Sequence, residues 1–591
     1  MGDPNLVTTP RRKSIEKKPL EVDLESQSQS QWMKKSKLIC QRILYGLLFI
    51  ILGYATLSLL VFLRLYPDRV QYLKSLRVAN DSFCYQPPVL VSSTKEPFLD
   101  TKDISCSNFI NSPEYWNESL ARFQKVLRVP TVSYDDLGDV GEDDRWNIFG
   151  DLHDVFREIF PNIFEKLQVE YVATYGLLIT YKGSNDDLKP LVLMAHQDVV
   201  PIAEATLDKW FFPPFSATYK DGVVYGRGAT DDKNSLVAIF EVLELLASSD
   251  FTPERTVIAS IGFDEEISGY HSALPLAKRL YEIYGQDGIE LILDEGGFVS
   301  EYYGTYFAAV SVAEKGYMDV VLNLKTPGGH SSIPPPHTNI GIMSKLIPHI
   351  ENPFAGSLVL ENPFFSSLEC FAKYSKDIDE RLRTLILRKD TAALTDILSK
   401  DKETRYFFET SIAVDVIRGG VKVNALPEET FVHVNHRVSV EKNLNQLYDH
   451  YEQLVGQFAK ENHLNLTVFD GSQAISYPDA IGQFSLSTMK TLEPSPVSPY
   501  GNGASAYEKL GGAIKYTFGN QTLVAPALMP ANTDTRHYWN LTKSIYRWTP
   551  VSPRAAEITD DFNAHTVNEN MPYQGHIDAI TFYYNFIRHY D

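Results

Sequence analysis

The fold of this chain is restricted most by an alternation of apolar, β-rich runs with helical patterns in its central part. The apolar runs are typical of buried strands, and they occupy residues 175–183, 191–200, 255–263 and 289–295, with a helical segment at residues 234–249. Such alternation predicts an α/β layer built on a mostly parallel sheet with helices on both faces. Ligands of open sheets of this kind bind beyond the carboxyl ends of the strands, so functional residues are expected there.

The length of the chain and a change of pattern predict several domains. A chain of 591 residues exceeds what one hydrophobic core usually supports. The first part of the main domain is predicted at residues 112–312. Alternating strands with helical segments follow, which predicts an inserted α+β domain of the ferredoxin-like kind at residues 313–470. A helical excursion at about residues 357–401 is expected to enlarge the insert, and the main domain resumes at residues 471–591.

The N-terminal part carries a predicted membrane anchor. Residues 1–42 are rich in Ser, Gln, Lys and Glu, which predicts a disordered tail. The uncharged apolar run from Ile43 to Leu63 is about as long as the ~20 residues that span a bilayer as a helix. Basic residues just before it place the tail in the cytosol and the rest across the membrane, beginning with a stalk at residues 64–111. A cleaved signal peptide is the alternative, although its apolar region is only about 7–15 residues long.

Composition and charge exclude one class of partner. The chain is 44% hydrophobic and 22% charged, as globular proteins are, and its formal net charge is −20. A strongly negative protein repels polyanions. Nucleic acid is therefore not expected as a ligand.

Cysteines and glycosylation sequons bear on the cellular compartment. Cys84 and Cys106 lie close in sequence beyond the predicted span, where oxidising conditions would join them, and Cys370 is expected to stay a buried thiol. Cys40, at the cytosolic edge of the span, is a candidate for palmitoylation. The candidate N-glycosylation sites all lie beyond the span, and they are Asn80, Asn117, Asn465, Asn520 and Asn540.

Five short acidic or histidine-bearing stretches hold the residue types of a two-metal site. Such a site needs a carboxylate that both metals share, terminal His and carboxylate ligands, and a spare carboxylate for protons. The stretches are MAHQD (194–198), GRGATDDK (226–233), DEE (264–266), LDEGG (293–297) and NAHTVNEN (563–570). Together they provide all of these groups.

The first two stretches provide a histidine, its partner and a shared carboxylate. His196 and Asp198 are two residues apart at a strand end, so their side chains point the same way. Asp198 is expected to accept the second ring N–H of a metal-bound His196. Asp231 ends a glycine-bearing loop that opens onto a helix and is predicted to bridge the metals. The alternatives are a structural His–Asp pair and, for this loop, a helix N-cap, a role that also suits Asp232.

The other three stretches divide the remaining roles. Adjacent side chains diverge, so Glu266 is predicted to bind metal while Glu265 transfers protons; a solvated acidic turn is the alternative. Asp294 and Glu295 compete for one ligand position, and Asp294 is our choice. His565 is a lone histidine in a predicted loop. By itself, such a residue is an ordinary surface or core histidine in most proteins.

The ordered set of stretches resembles the family of zinc exopeptidases and amidases that includes aminoacylases, carnosinases and bacterial glutamate carboxypeptidase. Within this family it is most similar to the fungal vacuolar carboxypeptidases. The resemblance covers residues 191–570 and includes WFFPPFSATYKDGVVYGRGATDDKN, which begins at Trp210. It implies a cis peptide bond between Asp231 and Asp232. It also implies two Zn²⁺ ions per chain, one held by His196, Asp231 and Asp294, the other by Asp231, Glu266 and His565.

The same resemblance implies the residues that bind substrate. The inserted domain resembles the family's lid, in which His330 of TPGGHSS is a candidate to steady the oxyanion. Asn424 and Arg437 are candidates to hold the terminal carboxylate of the substrate. Asp534 and Arg536 are candidates in NTDTRH, a stretch that matches the family's glycine-rich equivalent only loosely. Pairing of two chains through the lid is a further expectation.

The expected activity is hydrolysis of the peptide bond next to a free C-terminal carboxylate in short or N-blocked peptides, Gly-Xaa among them. Glu265 is expected to take a proton from the attacking water and to pass it to the leaving amine. The predicted span makes the protein a single-pass type II membrane protein, and the resemblance implies that its catalytic part lies in the vacuole lumen. The alternatives are an amidase that cleaves or makes N-acyl amino acids and a catalytically silent membrane receptor or sorting protein.

Overall fold

The computed structural model describes residues 83–91, 95–352, 356–556, 558 and 562–590. The predicted tail, the predicted span from Ile43 to Leu63, Cys40 and Asn80 lie outside these residues. Among the residues described, none of the helices combines the length and the apolar composition needed to cross a membrane.

The strands form two main sheets and two small ones. In chain order they are β1 (Gln168–Val172), β2 (Gly176–Tyr181), β3 (Leu191–His196), β4 (Thr218–Lys220), β5 (Val223–Tyr225), β6 (Val257–Gly262), β7 (Leu291–Gly297), β8 (Val299–Glu301), β9 (Tyr306–Glu314), β10 (Gly316–Lys325), β11 (Gly329–His330), β12 (Ser411–Gly419), β13 (Ala425–Leu426), β14 (Glu429–Val438), β15 (Asn465–Thr467), β16 (Gln473–Ile475), β17 (Gln483–Leu492), β18 (Leu523–Met529), β19 (Ile545–Trp548) and β20 (Asn570–Pro572).

The helices lie between the strands and at both ends of the described chain. They are α1 (Cys106–Ile110), α2 (Pro113–Leu127), α3 (Ile148–Ile159), α4 (Pro161–Lys166), α5 (Lys233–Ala247), α6 (Ala273–Tyr284), α7 (Asn339–Ile350), α8 (Pro363–Tyr374), α9 (Glu380–Leu387), α10 (Thr391–Leu398), α11 (Lys402–Arg405), α12 (Leu444–Glu461), α13 (Ser505–Phe518), α14 (Pro553–Ala556) and α15 (Tyr573–His589). Short 3₁₀ turns occupy Asp144–Asn147, Glu204–Lys209, Glu265–Ile267 and Asp534–His537.

The main sheet has nine strands within the described residues, in the order β1-β2-β6-β3-β7-β19-β9-β18, with β8 paired to β9 off this path. Its centre is parallel, since β3 pairs in parallel with β6 and β7, and β7 with β19. It is mixed rather than mostly parallel, because β1, β2 and β8 join it in antiparallel pairs. The central strands therefore keep their carboxyl ends at one edge, as the sequence predicts.

Helices cover both faces of this sheet. Leu191 and Leu193 of β3 belong to the large apolar core that includes α5, a helix buried along its whole length. The residue between them, Val192, belongs to a second core on the other face, with Leu276 and Leu280 of α6. Every position of β3 is buried, as expected for a strand with helices on both faces.

The inserted domain is built on a second sheet with the order β12-β14-β10-β17-β15-β16. Alternate residues of β10 are buried, and they pack with apolar residues of α7 and α12 that cover one face. Because β16 and β17 belong to this sheet, the domain extends to Leu492, beyond the predicted end at Asp470. Strand β16 is short, and only the first half of β17 alternates buried and less buried residues, so the sequence pattern does not mark this boundary.

The helical excursion packs on the main sheet. The prediction that it enlarges the inserted domain is therefore wrong. Phe365 and Phe371 of α8 lie in one apolar cluster with Phe307 of β9 and Ala525 of β18. The Ser367 hydroxyl of α8 also donates a hydrogen bond to the Pro526 carbonyl of β18. The excursion therefore covers the end of the main sheet at β18, where the next strand would pair.

The cysteines pair differently from the prediction. Cys84 forms a disulfide with Cys370 of α8, and Cys106 is a free, buried thiol. Cys106 lies in α1, where it belongs to the main core with Phe109 and Ile110. The described part of the predicted stalk is therefore packed on the body, and nearness in sequence was a poor guide to the pairing.

The sequons within the described residues differ in exposure. Asn117, Asn520 and Asn540 are exposed. Asn465 is half-buried, and its side-chain oxygen accepts a hydrogen bond from the Tyr477 N–H. On geometry alone, the three exposed asparagines are the accessible ones.

We expect the Cys370→Ser variant to lose about 2–5 kcal/mol of the free energy of unfolding. The bond joins residues 286 positions apart, so its removal greatly increases the conformational freedom of the unfolded chain. Denaturant unfolding measures the loss, with Cys106→Ser as the control that breaks no disulfide. Recovery of a Cys84–Cys106 peptide from a non-reduced digest would contradict the observed pairing.

Candidate active site

The chemical stretches meet at the carboxyl edge of the main sheet. His196 is the last residue of β3, and the turn Glu265–Ile267 follows closely after β6. Glu295 lies on β7, the other parallel neighbour of β3. Asp231 lies in the loop directly before α5, and the cis peptide bond between it and Asp232 is present as the resemblance implied. Distant parts of the sequence thus form one cluster of side chains.

Asp231 lies between two histidines. Its Oδ1 is 3.0 Å from Nε2 of His196, and its Oδ2 is 3.1 Å from Nε2 of His565. The same nitrogen of His565 is 3.1 Å from Oε2 of Glu266. Each oxygen of one carboxylate therefore faces a different nitrogen donor, which is the arrangement that a bridging ligand requires.

Glu295, and not Asp294, faces this cluster. Oε1 of Glu295 is 3.5 Å from Nε2 of His196. Asp294 is buried beside Thr533, Glu314 and Arg547. Consecutive side chains of a strand point to opposite faces of a sheet, so only one of the two acids reaches the site. The structure thus disagrees with our choice of Asp294 from the sequence.

Asp198 holds both His196 and the turn with the paired glutamates. Its Oδ1 is 3.2 Å from Nδ1 of His196 and accepts a hydrogen bond from the Glu265 N–H at 3.1 Å. Its Oδ2 accepts hydrogen bonds from the Ser133 hydroxyl and the Glu266 N–H. The carboxylate is fully buried, so these bonds fix the ring and the turn relative to each other.

Glu569 is a site residue that our reading of the sequence missed. Its Oε1 accepts hydrogen bonds from the N–H groups of Thr230 and Asp231, and its Oε2 is 2.5 Å from Nη1 of Arg227. The side chain is fully buried. It therefore ties the C-terminal stretch to the loop that carries Asp231. The signal was present, since Glu569 lies within NAHTVNEN, but a carboxylate behind the ligands has no motif of its own.

The loop that carries His565 has an unusual backbone. Asn563, His565 and Asn568 have φ angles of 56°, 61° and 63°, in the left-handed region that asparagine and histidine tolerate better than most residues. The side-chain oxygen of Asn568 accepts a hydrogen bond from the Phe211 N–H at 2.6 Å. Such backbone geometry clusters at functional sites and persists when surrounding contacts hold it.

Burial raises the pKa of the carboxylates that crowd the cluster. It raises the pKa of Glu266 to about 7, and it raises the pKa of Glu265 and of Glu295 well above the ordinary value. The charge of Asp231 adds to the effect on Glu266 and Glu295. Asp231 itself is buried as well, but its bonds to two histidines hold its pKa far below the usual range.

The pKa values of the two histidines are raised as well, but by their acidic neighbours and not by burial. Burial lowers the pKa of His196, but the charge of Glu295 and bonds to Asp198 and Asp231 raise it well above its ordinary value. Bonds to Asp231 and Glu266 raise the pKa of His565 to about 10. The cluster is strongly negative, and it favours positive charge at its centre.

This donor set fits divalent cations. Ligand atoms of His196, Asp231 and Glu266 lie within 4.8 Å of one another, and so do those of His196, Glu265 and Glu295. Oε1 of Glu266 is buried without a hydrogen-bond partner among the described residues. Carboxylates buried this close together repel unless a positive charge lies between them, which a bound cation provides.

A cavity of about 390 Å³ opens onto the cluster. The main domain contributes Glu265, Glu266, His565 and Arg536 to its walls, and the inserted domain contributes Arg437. Further lining residues, which the sequence did not single out, are Asp135, Ile267, Ser268, Tyr270, Tyr317, Lys490, Thr491, Leu492, Ala531 and Asn532. The cavity has the volume of a small-molecule site, and the chemical groups lie on its wall.

Three candidates for substrate binding do not line this cavity. His330 and Asn424 are exposed on and beside the small antiparallel sheet of β11 and β13. Asp534 is buried, and its carboxylate lies against Gly262 and Gly269, where it leaves no room for a Cβ atom. Arg437 and Arg536 are the predicted substrate residues that the fold brings to the cavity.

Comparison with known proteins identifies the family. Residues 192–589 match the family model described as peptidase family M20/M25/M40. The chain belongs to this peptidase family. The match covers most of the chain and includes every predicted metal ligand of this M20 peptidase, so the resemblance inferred from its motifs is confirmed.

Relatives of this M20 peptidase include named carboxypeptidases. An uncharacterized carboxypeptidase of Schizosaccharomyces pombe is 63% identical, over 87% of this chain and 86% of its own length. Carboxypeptidase S of Saccharomyces cerevisiae is 39% identical, over 83% of this chain and 87% of its own length. An N-fatty-acyl-amino acid synthase/hydrolase of Mus musculus is 30% identical, over 79% of this chain and 86% of its own length.

A solved structure shows that the fold of this M20 peptidase is shared. Human carnosine dipeptidase 1 superposes with a TM-score of 0.56 and 14% sequence identity, covering 82% of this chain and 98% of that one. The predicted α/β class is therefore confirmed at the level of the fold.

Proposed function

We propose that this protein is a di-zinc metallocarboxypeptidase that hydrolyses the C-terminal peptide bond of short peptides, including those of the Gly-Xaa type. One observation carries the proposal: a single cavity holds Glu265, the candidate metal ligands Glu266 and His565, and two arginines. The similarity to Carboxypeptidase S supports the same conclusion.

The two arginines of the cavity differ in what they contact. Nη2 of Arg536 is 3.8 Å from Oε1 of Glu265, so its charge is partly engaged within the protein. No carboxylate of the described residues lies within ion-pair distance of Arg437. A half-buried guanidinium without an acidic partner can bind the anionic group of a ligand, and the terminal carboxylate of a peptide is such a group.

Two zinc ions would be held by ligands that share Asp231. His196, Glu295 and Asp231 would hold one ion, and Asp231, Glu266 and His565 the other. When bound, the ions supply Lewis acidity that polarises the scissile carbonyl and lowers the pKa of a water molecule.

Side chains of the protein would bind the substrate and transfer protons. Arg437 would fix the substrate by its terminal carboxylate. Glu265 would take the proton of the attacking water and deliver it to the leaving amine, since it lies on the cavity wall beside the cluster. Asp198 would hold the Glu265 backbone in place through the hydrogen bond to its N–H.

An amidase acting on N-acyl amino acids is the second candidate. The identity of 30% with an N-fatty-acyl-amino acid synthase/hydrolase favours it, because both activities cleave an amide next to a free carboxylate. The walls of the cavity include Asp135 and Lys490 in addition to Glu265 and the arginines. A long acyl chain would desolvate such charged groups, so a peptide is the better match.

The apolar run from Ile43 to Leu63 forms part of the proposal, as a membrane anchor with the peptidase domain on the lumenal side of the vacuole. Its length and the basic residues before it support this placement.

The proposal is tested with an N-blocked Gly-Leu dipeptide and the same compound carrying a C-terminal carboxamide. We expect kcat/KM for the free carboxylate to be about 10- to 100-fold higher, because the carboxamide loses a charged hydrogen bond to Arg437. An N-dodecanoyl leucine is measured beside them under the same conditions.

Each outcome of this comparison has a definite meaning. Equal rates for the carboxylate and the carboxamide would exclude a carboxypeptidase. A much faster reaction of the acyl amino acid would establish the amidase in its place. Absence of turnover in the zinc-loaded protein would leave the catalytically silent alternative.

A further inference from the structure

Asn532 joins the two domains beside the cavity. Its side-chain Oδ1 accepts a hydrogen bond from Nη1 of Arg437 at 2.7 Å, and its Nδ2 donates one to the main-chain carbonyl of Lys315. Arg437 belongs to β14 of the inserted domain, whereas Asn532 lies just after β18 of the main sheet. One amide therefore fixes the arginine of one domain to the other domain.

Lys315 is the residue at which the chain crosses between the domains. It lies between the last residue of β9 and the first residue of β10. Its N–H donates to the Met529 carbonyl, and its buried Nζ donates to the carbonyls of Tyr406 and Glu409. The Lys315 carbonyl that Asn532 contacts is therefore held in place, and the bond to it keeps the Asn532 side chain in one orientation.

The guanidinium of Arg437 is held on a second side as well. It lies over the ring of Tyr317 at 4.9 Å from the centroid, and Tyr317 is its cross-strand partner on β10. Burial and the nearby charge of Arg536 lower the pKa of Arg437. The contacts that position the group are an aromatic face and a neutral amide, and neither cancels its charge.

The chemistry of residue 532 decides how much of that charge is available. An aspartate would form an ion pair with Arg437 and would face the Lys315 carbonyl with a second oxygen instead of a donor. An asparagine accepts from the arginine, donates to the carbonyl and carries no charge. The amide satisfies both neighbours and leaves the positive charge for a ligand.

From this geometry we infer that Asn532 is a positioning and specificity residue: it aims Arg437 at the cavity and keeps its charge unpaired for the carboxylate of the substrate. The inference rests on the proposed function, whose carboxylate recognition it assigns to a pair of residues. Asn532 acts through Arg437 and takes no part in proton transfer.

The test compares Asn532→Asp and Asn532→Ala with the wild-type enzyme on the blocked Gly-Leu dipeptide and its carboxamide. We expect Asn532→Asp to raise KM for the carboxylate about 10- to 100-fold, with KM for the carboxamide changed less than twofold. Asn532→Ala is expected to raise KM for the carboxylate by a smaller factor, because it frees the guanidinium without neutralising it. Asn111→Asp, an exposed change of the same kind, serves as the control for added charge.

A double-variant cycle separates positioning from a general structural role. In the Arg437→Ala background, Asn532→Asp should no longer change KM for the carboxylate, because the group through which it acts is missing. Equal effects on the carboxylate and the carboxamide, or effects that add in the double variant, would overturn the inference. If either Asn532 variant unfolds, the other supplies the comparison.

Failure of the inference and failure of the proposed function give different results. If the wild-type enzyme does not prefer the carboxylate to the carboxamide, the proposed function fails. If the wild-type enzyme keeps that preference and both Asn532 variants keep it unchanged, only the role of Asn532 is wrong.

Discussion

Replacing Glu265 with Gln is expected to lower kcat by about 10³- to 10⁴-fold while the bound metal is retained. The variant keeps the shape of the side chain but loses the group that accepts and returns the proton. Glu265 lies on the cavity wall, and its backbone N–H is held by Asp198, so the replacement should leave the turn in place. Steady-state kinetics and metal analysis by mass spectrometry measure the two quantities.

A matched control separates this chemistry from a change of charge. Glu380→Gln removes an exposed acid on α9 and is expected to leave kcat within twofold of the wild-type value. Full activity of Glu265→Gln would remove the residue from the mechanism. Loss of metal together with activity would make it a ligand instead.

Replacing Asp231 with Asn is expected to remove both zinc ions and to lower activity by about 10³-fold or more. Its two oxygens face His196 and His565 at 3.0 Å and 3.1 Å, so one carboxylate serves both halves of the site. Inductively coupled plasma analysis of dialysed protein measures the zinc content per chain, for which the proposed function predicts two in the wild type.

His565→Ala provides the comparison for this second prediction. It removes a donor from one half of the site, so we expect it to keep about one zinc per chain. A chelator should inactivate the wild type, and added zinc should restore it. Retention of two zinc ions by the Asp231 variant would show that the carboxylate is not shared.

Much of the site was predictable because local patterns determined it. Strand ends in an α/β sheet meet at one edge, so His196 and the Glu265–Glu266 pair were expected to converge, and they do. The loop before α5 was marked by glycines and by its position at a helix start. These signals involve only a few consecutive residues each, and a sequence displays them directly.

The features that were mispredicted depend on contacts far apart in sequence. The choice between Asp294 and Glu295 depends on which face of β7 lies toward His196. A strand that is apolar on both faces does not show which face that is. The partner of Cys84 is on α8, a helix whose place on the main sheet no local pattern shows. Asn532 and Glu569 act through hydrogen bonds to residues of other segments, and their sequence context marks neither.

The bond network around Glu569 has a consequence for how the enzyme is made. The loop with Asp231 depends on a carboxylate near the end of the chain, and β20 beside it pairs with β5. During synthesis, the ribosome adds Glu569 338 residues after Asp231. The loop that carries Asp231 therefore cannot reach its final position as soon as it has left the ribosome, and the catalytic site forms only after Glu569 has been made.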